Sequence, residues 1–172
     1  MSDYRLTTSF PYLARRVGVR IGELFERRIA SSGVSVSMYR VLAVLTEHDS
    51  LRLGELGGLV SIEVSTLSRL VGGMTRKGLV SRKRPRGNAR VVEISLTARG
   101  RALAGRLMPI AERCESVAVA GLAADDIARL KAYLETAYSN LDKLEQEFAE
   151  YADVQAVPVR RRAVRDGARS PA

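Results

Sequence analysis

The 172-residue sequence predicts a mainly α fold, a winged helix-turn-helix with long N- and C-terminal dimerisation helices and a two-stranded β-hairpin as the wing. Three observations predict it. Apolar residues recur every three or four positions in six segments, a basic alternating segment at residues 79–96 follows the fourth of them, and the last segment repeats in heptads. A helix that leads directly into a basic hairpin is the typical order of this fold.

The first two helices are expected at residues 10–29 and 38–48. In the first, apolar residues from Phe10 to Leu24 are three and four positions apart, which places them on one stripe. Gly33 favours a stop, because glycine readily adopts the left-handed conformation that ends helices. Ser35 or Ser37 can cap the second helix. Its expected core residues are Met38, Val41, Leu42 and Leu45.

The third segment, residues 51–60, predicts a short extended piece followed by a brief helix. Its expected buried residues are Leu53, Leu56 and Leu59. Each of its three glycines weakens a helix by about 1 kcal/mol relative to alanine, so packing must hold this helix in place.

The fourth helix is expected from about residue 62 to residue 77, with a core face of Leu67, Leu70, Val71 and Met74. Its outer face carries short hydroxyl side chains, two glycines and one arginine: Ser65, Thr66, Ser68, Arg69, Gly72 and Gly73. Such a face suits the major groove of DNA, because small residues permit close approach and arginine can form two hydrogen bonds with guanine. Exposed serine and threonine are also common without any role, so the interpretation depends on the position before the hairpin.

The hairpin follows Gly78, which can end the fourth helix. Strands are predicted at residues 79–84 and 90–96, and a turn of sequence Pro-Arg-Gly-Asn lies between them at residues 85–88. Arg86 and Arg90 would stand at the tip, where arginine can enter the narrow minor groove of A/T-rich DNA. A loop arginine can equally remain in solvent.

Positive charge is concentrated in two places. Residues 76–101 hold nine lysines and arginines against one glutamate, a net charge of +8, and residues 158–172 contribute +4, in a chain whose total is +9. Localised positive charge is typical of surfaces that neutralise DNA phosphates. A basic patch considered alone can also be a solvated surface.

Two long helices complete the pattern. Thr97 can cap the fifth helix, and Pro109 is expected to kink it. Its apolar stripe consists of Leu103, Leu107, Ile110, Cys114 and Val117.

The sixth helix begins near Ala124, and its apolar residues step by three and four positions: Ile127, Leu130, Leu134, Ala137, Leu141, Leu144 and Phe148. About 25 helical residues span roughly 37 Å, more than a small domain can cover, so a partner subunit is expected to cover the seam. Residues 158–172 have little to bury and are expected to form a disordered basic tail.

The composition argues against several other classes of protein. No apolar run approaches the length of about 18 residues that a membrane span needs, and the N-terminus lacks the apolar region of a secretory signal, so a cytoplasmic location is expected. One histidine, His48, and one cysteine, Cys114, are too few for a tetrahedral zinc site, and we expect no metal or cofactor. No nucleophile–base pair or phosphate-binding glycine loop is recognisable, so an enzyme is not expected.

The segments STLSRLVGGMTRKGLVSR (residues 65–82) and RVVEISLTARG (residues 90–100) resemble the MarR family of bacterial winged-helix transcriptional regulators. The resemblance extends over about residues 8–150. It implies a homodimer in which residues 1–35 and 98–157 form the dimerisation region and residues 36–97 form the DNA-binding domain. It also implies binding, most simply as a repressor, to palindromic double-stranded DNA with half-sites about one helical turn apart.

Two positions depart from the family pattern. Asn88 stands two residues before Arg90, where family wings often carry aspartate, so we expect a neutral hydrogen bond in place of a charged brace. Gly72 and Gly73 replace a more usual acidic and basic pair. Because glycine lowers helix stability, we expect the fourth helix to be partly mobile in the absence of DNA.

The expected DNA contacts form three groups. Base edges would be read or approached by Ser65, Thr66, Ser68 and Arg69. The minor groove would receive Arg86 and Arg90. Phosphates would be contacted by Arg76, Lys77, Lys83 and Arg84.

The resemblance also implies a small-molecule effector, such as an aromatic carboxylate or its thioester, bound between the first, second and fifth helices. The candidate ligand residues are Tyr12, Arg16, Arg20 and Tyr39, because arginine beside tyrosine can hold an aromatic acid. Alternatively, the tyrosines simply pack and the arginines pair with Glu23 and Glu26.

Two other functions are weighed against this one. Cys114 could sense oxidants, but it lies on the inward stripe of the fifth helix, where a buried thiol is inert. A non-specific architectural DNA-binding protein would also make use of the basic hairpin and tail.

Overall fold

The structure, a computed structural model, describes residues 4–83 and 92–155. The chain divides into two units, residues 1–120 and 121–172. The described part of the first unit contains α1 (Phe10–Ile29), α2 (Val36–Val44), β1 (Leu51–Arg52), α3 (Leu53–Val60), α4 (Val64–Arg76), β2 (Val80–Lys83), β3 (Glu93–Leu96) and α5 (Ala98–Ala118). The second contains α6 (Ala124–Gln155). The predicted turn at residues 85–88 and the predicted tail at residues 158–172 lie outside the described residues.

The turn between α1 and α2 forms where the sequence predicts it. α1 ends at Ile29, and Gly33 has a φ of +73°, a conformation that glycine adopts without steric cost. The Ser35 Oγ accepts a hydrogen bond of 3.3 Å from the Met38 N–H. Ser35, rather than Ser37, therefore caps α2.

Thr97 holds the base of the hairpin against the helices on either side. Its Oγ1 accepts a hydrogen bond from the Gly100 N–H (3.0 Å), which caps α5 as predicted, and donates to the Gly78 carbonyl oxygen (2.6 Å). A Cβ added to Gly100 would lie 1.9 Å from the Leu79 carbonyl oxygen. The first turn of α5 thus lies directly against the backbone that leaves α4, an approach that only glycine permits. α5 continues as one helix through Pro109.

The three strands form one antiparallel sheet in the order β1–β3–β2. In the predicted hairpin, Val80 lies opposite Leu96 and Lys83 lies opposite Glu93. β1 adds a third strand, with Leu51 opposite Ile94, which the prediction of a two-stranded hairpin did not include. Because β1 runs directly into α3, the sheet joins α3 to the hairpin.

The core of the first unit is formed by α2, α3, α4 and the sheet, with further residues from α1 and α5. Its buried side chains include Phe25, Ile29, Val41, Leu42, Leu45, Leu56, Val60, Leu67, Val71, Met74, Leu79, Val80, Ile94, Leu103, Ala104 and Leu107. The core faces predicted for α2 and α4 are therefore largely confirmed, with Met38 and Leu70 half-buried.

The prediction for α3 is wrong at one position. Leu59 was expected in the core, but its side chain is 55% exposed, whereas Val60 is 4% exposed. The reason is the phase of the helix, since the core-facing residue one turn after Leu56 lies four positions further on rather than three. Leu53 is half-buried.

Two helices keep large apolar side chains at their surface. On α1, the predicted stripe leaves Phe10, Leu13, Val17 and Leu24 between 40% and 56% exposed. In the second unit, α6 has 32 residues, and five of its seven seam residues are between 40% and 63% exposed. These five are Leu130, Leu134, Leu141, Leu144 and Phe148. Within residues 4–83 and 92–155, no helix is both long and apolar enough to cross a membrane.

Candidate nucleic-acid interface

The outward face of α4 is the first part of the candidate interface. Ser65, Thr66 and Arg69 are exposed on it, and Ser68 is half-buried, as are Gly72 and Gly73. The opposite face supplies the fully buried side chains Leu67, Val71 and Met74. α4 is therefore fixed by its apolar side and presents hydroxyl groups, bare backbone and one guanidinium on its other side.

Glu63 caps the N-terminus of α4. Its carboxylate accepts hydrogen bonds from the Ser65 N–H (2.9 Å), from the Thr66 N–H (3.1 Å) and from the Ser65 hydroxyl. The Ser65 hydroxyl, followed by these two backbone groups, lowers the pKa of Glu63, so the side chain is ionised at neutral pH. The sequence prediction began the helix at residue 62 and gave Glu63 no role. The available signal was an acidic residue two positions before a pair of hydroxyl side chains.

The C-terminal end of α4 carries two of the predicted phosphate contacts. The Arg76 guanidinium lies beside the glycine pair, 3.9 Å from the position that a Cβ on Gly72 would occupy. The Lys77 Nζ donates a hydrogen bond of 3.0 Å to the Gly33 carbonyl oxygen in the turn between α1 and α2. Lys77 therefore ties the end of α4 to that turn and would have to share or leave this bond to reach a phosphate.

The hairpin is described only near its base. Lys83 is exposed at the end of β2, and Arg82 beside it is exposed as well. The other predicted hairpin contacts, Arg84, Arg86 and Arg90, lie outside the described residues. Among described residues, the second part of the candidate interface is therefore this basic end of β2.

A groove of about 760 Å³ lies along α1 and the end of α5. Its lining includes three of the four predicted ligand residues, Tyr12, Arg16 and Arg20. The Arg16 guanidinium lies 5.7 Å from the centre of the Tyr12 ring, and the Arg20 Nη1 lies 3.2 Å from the Glu23 Oε2. Apart from Arg15 and Glu23, mostly apolar side chains form the rest of the wall, so the groove combines guanidinium groups with hydrophobic surface.

The structure does not bring Tyr39 into this groove. The Tyr39 ring packs against Phe25, with the ring centres 4.5 Å apart, and it lines a second, smaller groove of about 370 Å³ between α2 and α3 together with Arg40, Leu59 and Ser61. Burial, and then the nearby Glu112 carboxylate, raise the pKa of Tyr39.

Cys114 was expected to be buried and inert, and this expectation is wrong as regards burial. The side chain is half-buried and lines the larger groove beside Val117, which is 56% exposed. The inward stripe of α5 is buried as far as Leu107, and beyond it Ile110 and Cys114 are half-buried and pack against the core.

Comparison with known proteins identifies relatives of the chain. The sequence model of the MarR family matches residues 34–92. The solved MarR family transcriptional regulator SPO1453 of Silicibacter pomeroyi DSS-3 is 33% identical, with a TM-score of 0.68, over 81% of this chain and 99% of that one. The HTH-type transcriptional repressor IacR of Pseudomonas putida is 26% identical over 83% of this chain and 86% of its own length. Bordetella bronchiseptica BpsR, whose DNA binding is regulated by 6-hydroxynicotinic acid, has the same fold, with 21% identity and a TM-score of 0.71 over 80% of this chain and 98% of that one.

Proposed function

The chain belongs to the MarR family of DNA-binding transcriptional regulators, and from this premise we propose that it is a homodimeric repressor that binds a palindromic operator and is released by a small aromatic acid. The observation that carries the proposal is the outward face of α4. Its exposed Ser65, Thr66 and Arg69 stand on a helix whose opposite face packs in the core, so groups that can contact DNA bases are directed outward.

We assign the base contacts to Ser65, Thr66, Ser68 and Arg69. Among these, Arg69 has the donor geometry that suits guanine. The phosphate contacts are assigned to Arg76, Lys77, Lys83 and Arg84, and the minor-groove contacts to Arg86 and Arg90. Exposed cations at the C-terminal ends of α4 and β2 support this division, because phosphate contacts position a protein while base contacts select the sequence.

The homodimer is supported by large apolar side chains that are exposed among the described residues of each unit. Five seam residues of α6 and four residues of the α1 stripe remain at least 40% exposed, and large apolar surfaces of this kind mark interaction sites. We therefore assign residues 1–35 and 98–157 to dimerisation, residues 36–97 to DNA binding and residues 158–172 to a basic tail. Two recognition helices related by a twofold axis would contact half-sites about 34–36 Å apart. A repressor of chromosomal genes would act in the cytoplasm.

The effector site is assigned to the groove along α1 and α5, with Tyr12, Arg16 and Arg20 as the polar contacts. Arg20 pairs with Glu23 through side chains that are 61% and 49% exposed, and an exposed pair of this kind is weak. A ligand carboxylate can therefore compete for the guanidinium groups while its ring lies on the apolar wall. The effector of BpsR is also an aromatic acid. Tyr39, in its separate groove, has the least support as a ligand residue.

The affinity of the full chain for DNA tests the regulatory function. We expect a duplex selected from a random library to bind about 10³-fold or more tightly than an unselected duplex at physiological salt. A ratio close to one would contradict the proposal and support the architectural alternative.

A thermal-shift screen of aromatic acids and their thioesters tests the effector site. A ligand that raises the melting temperature should lose its effect in Arg16→Ala and keep it in Arg27→Ala, a matched change on α1 outside the groove. If both variants respond as the parent protein does, the groove is not the site. If peroxide releases DNA and Cys114→Ser abolishes this release, the redox alternative is correct.

A further inference from the structure

The N-terminus of α4 offers fewer free donors than the helix starts that usually attract phosphate. Helix N-termini bind anions through backbone N–H groups that have no partner within the helix. Here the Ser65 and Thr66 N–H groups both donate to the Glu63 carboxylate, at 2.9 Å and 3.1 Å. The first turn of the recognition helix therefore directs two of its donors back to its own cap.

The same carboxylate fixes the polarity of Ser65. A serine hydroxyl has one proton to donate, and this proton is directed to Glu63. Toward DNA, the Ser65 oxygen can then act only as a hydrogen-bond acceptor. The remaining lone pairs of the Glu63 carboxylate are acceptors as well. Glu63 is exposed, and its lowered pKa keeps it charged at neutral pH. The tip of α4 is thus a negatively charged surface that offers acceptors.

The base edges of the major groove respond differently to such a surface. Guanine presents N7 and O6 and thymine presents O4, which are acceptors, so both would be repelled. Adenine presents an amine beside the acceptor N7 on the same base, whereas the major-groove edge of cytosine itself presents only the N4 amine.

We propose that Glu63 is a specificity-determining residue that accepts a hydrogen bond from the N4 amine of a cytosine in each operator half-site. The inference rests on the proposed function, since it assumes that α4 enters the major groove. It adds a negatively charged contact to an interface whose other assigned side chains are neutral or cationic.

Selection from a duplex library with a random central segment tests the proposal on the full chain. The parent protein should prefer cytosine by about tenfold at one position of each half-site. Glu63→Gln should move this preference to adenine, because glutamine can pair with adenine N6 and N7 together. Glu63→Ser, which keeps a side-chain helix cap but has no carboxylate, should lose the preference at this position alone.

A matched variant controls for the loss of a capping carboxylate. Glu55 accepts a hydrogen bond of 2.9 Å from the Arg52 N–H at the start of α3, and Glu55→Gln should leave the selected sequence unchanged. A second measurement uses only the parent protein, so its result does not depend on whether a variant folds. Replacing the selected cytosine with 2-pyrimidinone, which lacks the amine, should weaken binding of the parent protein about tenfold.

The possible failures are distinguishable. The inference is overturned if Glu63→Ser and Glu63→Gln select the same sequence as the parent protein, or if the parent protein tolerates 2-pyrimidinone. Glu63 would then be a helix cap only, and the proposed function would stand. If the parent protein selects no sequence, the proposed function fails and the inference fails with it.

Discussion

α4 and α6 have similar apolar periodicity but expose opposite kinds of surface. On α4, Leu67, Val71 and Met74 are fully buried, and the exposed residues after Val64 are hydroxyl or cationic. On α6, the apolar seam itself is exposed, with Leu141 at 58% and Phe148 at 63%. Apolar periodicity therefore identifies the apolar face of a helix, but it does not show which surface covers that face. In α4 the first unit covers that face, whereas the described residues of the second unit leave the face of α6 exposed.

Substitution in the buried face of α4 should have the largest effect. Leu67→Ala removes a side chain with no exposed surface and should lower the free energy of unfolding by about 2–5 kcal/mol. Urea unfolding followed by circular dichroism measures this loss, which should be the same at low and high protein concentration. A loss below about 1 kcal/mol would mean that this face is loosely packed and that the contrast with α6 is weaker than described.

A charge in the seam of α6 should act through association instead. Leu141→Lys should leave the helical content nearly unchanged and raise the dissociation constant of the dimer by at least about tenfold, since burying an unpaired ammonium in an interface is costly. Sedimentation equilibrium measures the constant. The control is Tyr133→Lys, because Tyr133 is 69% exposed and lies off the seam. Equal effects of the two changes would show that the seam is not the interface.

The exposed face of α4 should affect DNA rather than stability. Arg69→Ala should reduce the preference for selected over random duplex by about 1–3 kcal/mol, because arginine can read guanine directly. Lys83→Ala should weaken binding to both duplexes alike and flatten its salt dependence. Fluorescence anisotropy at several salt concentrations separates the two effects. Equal losses on both duplexes for both variants would contradict the division into base and phosphate contacts.

The glycine pair of α4 should give the smallest effect. A Cβ on Gly72 would meet only the Arg76 Nη1, at 3.9 Å, so Gly72→Ala should stabilise the protein by about 0.5–1 kcal/mol and slow amide exchange in α4. Gly105→Ala in α5, where a Cβ would have nothing within 4 Å, should stabilise without changing exchange in α4. Uniformly slow exchange along α4 in the parent protein would refute its predicted mobility.

Most of the fold follows from local features of the sequence. The start of α2 is set by Ser35, the end of α4 by Gly78 and the start of α5 by Thr97, and each of these residues acts through neighbours in the chain. The pairing of β1 could not be predicted in this way. Two residues are too short to show a period, and their partner, β3, lies more than 40 positions further along.

Only part of the candidate site, the outward face of α4, could be predicted from the sequence. The pattern of α4 separates its buried residues from its outward residues, because both sets follow the helical period. The separation of Tyr39 from Arg16 depends on the packing of α2 against α1, which the pattern of neither helix determines. The role of Glu63 depends on a rotamer that returns its carboxylate to the helix start.

The hydroxyl of Thr97 has a consequence for how this protein can diversify. The hydroxyl donates a hydrogen bond to the Gly78 carbonyl oxygen, and the Thr97 N–H donates one of 3.1 Å to the Leu79 carbonyl oxygen. Together these two bonds close the hairpin at its base. Once the base is closed, doubling the length of the intervening loop costs only about 0.6 kcal/mol. Insertions and deletions between the strands should therefore be tolerated during evolution, so that the reach of the wing can change while its anchorage does not.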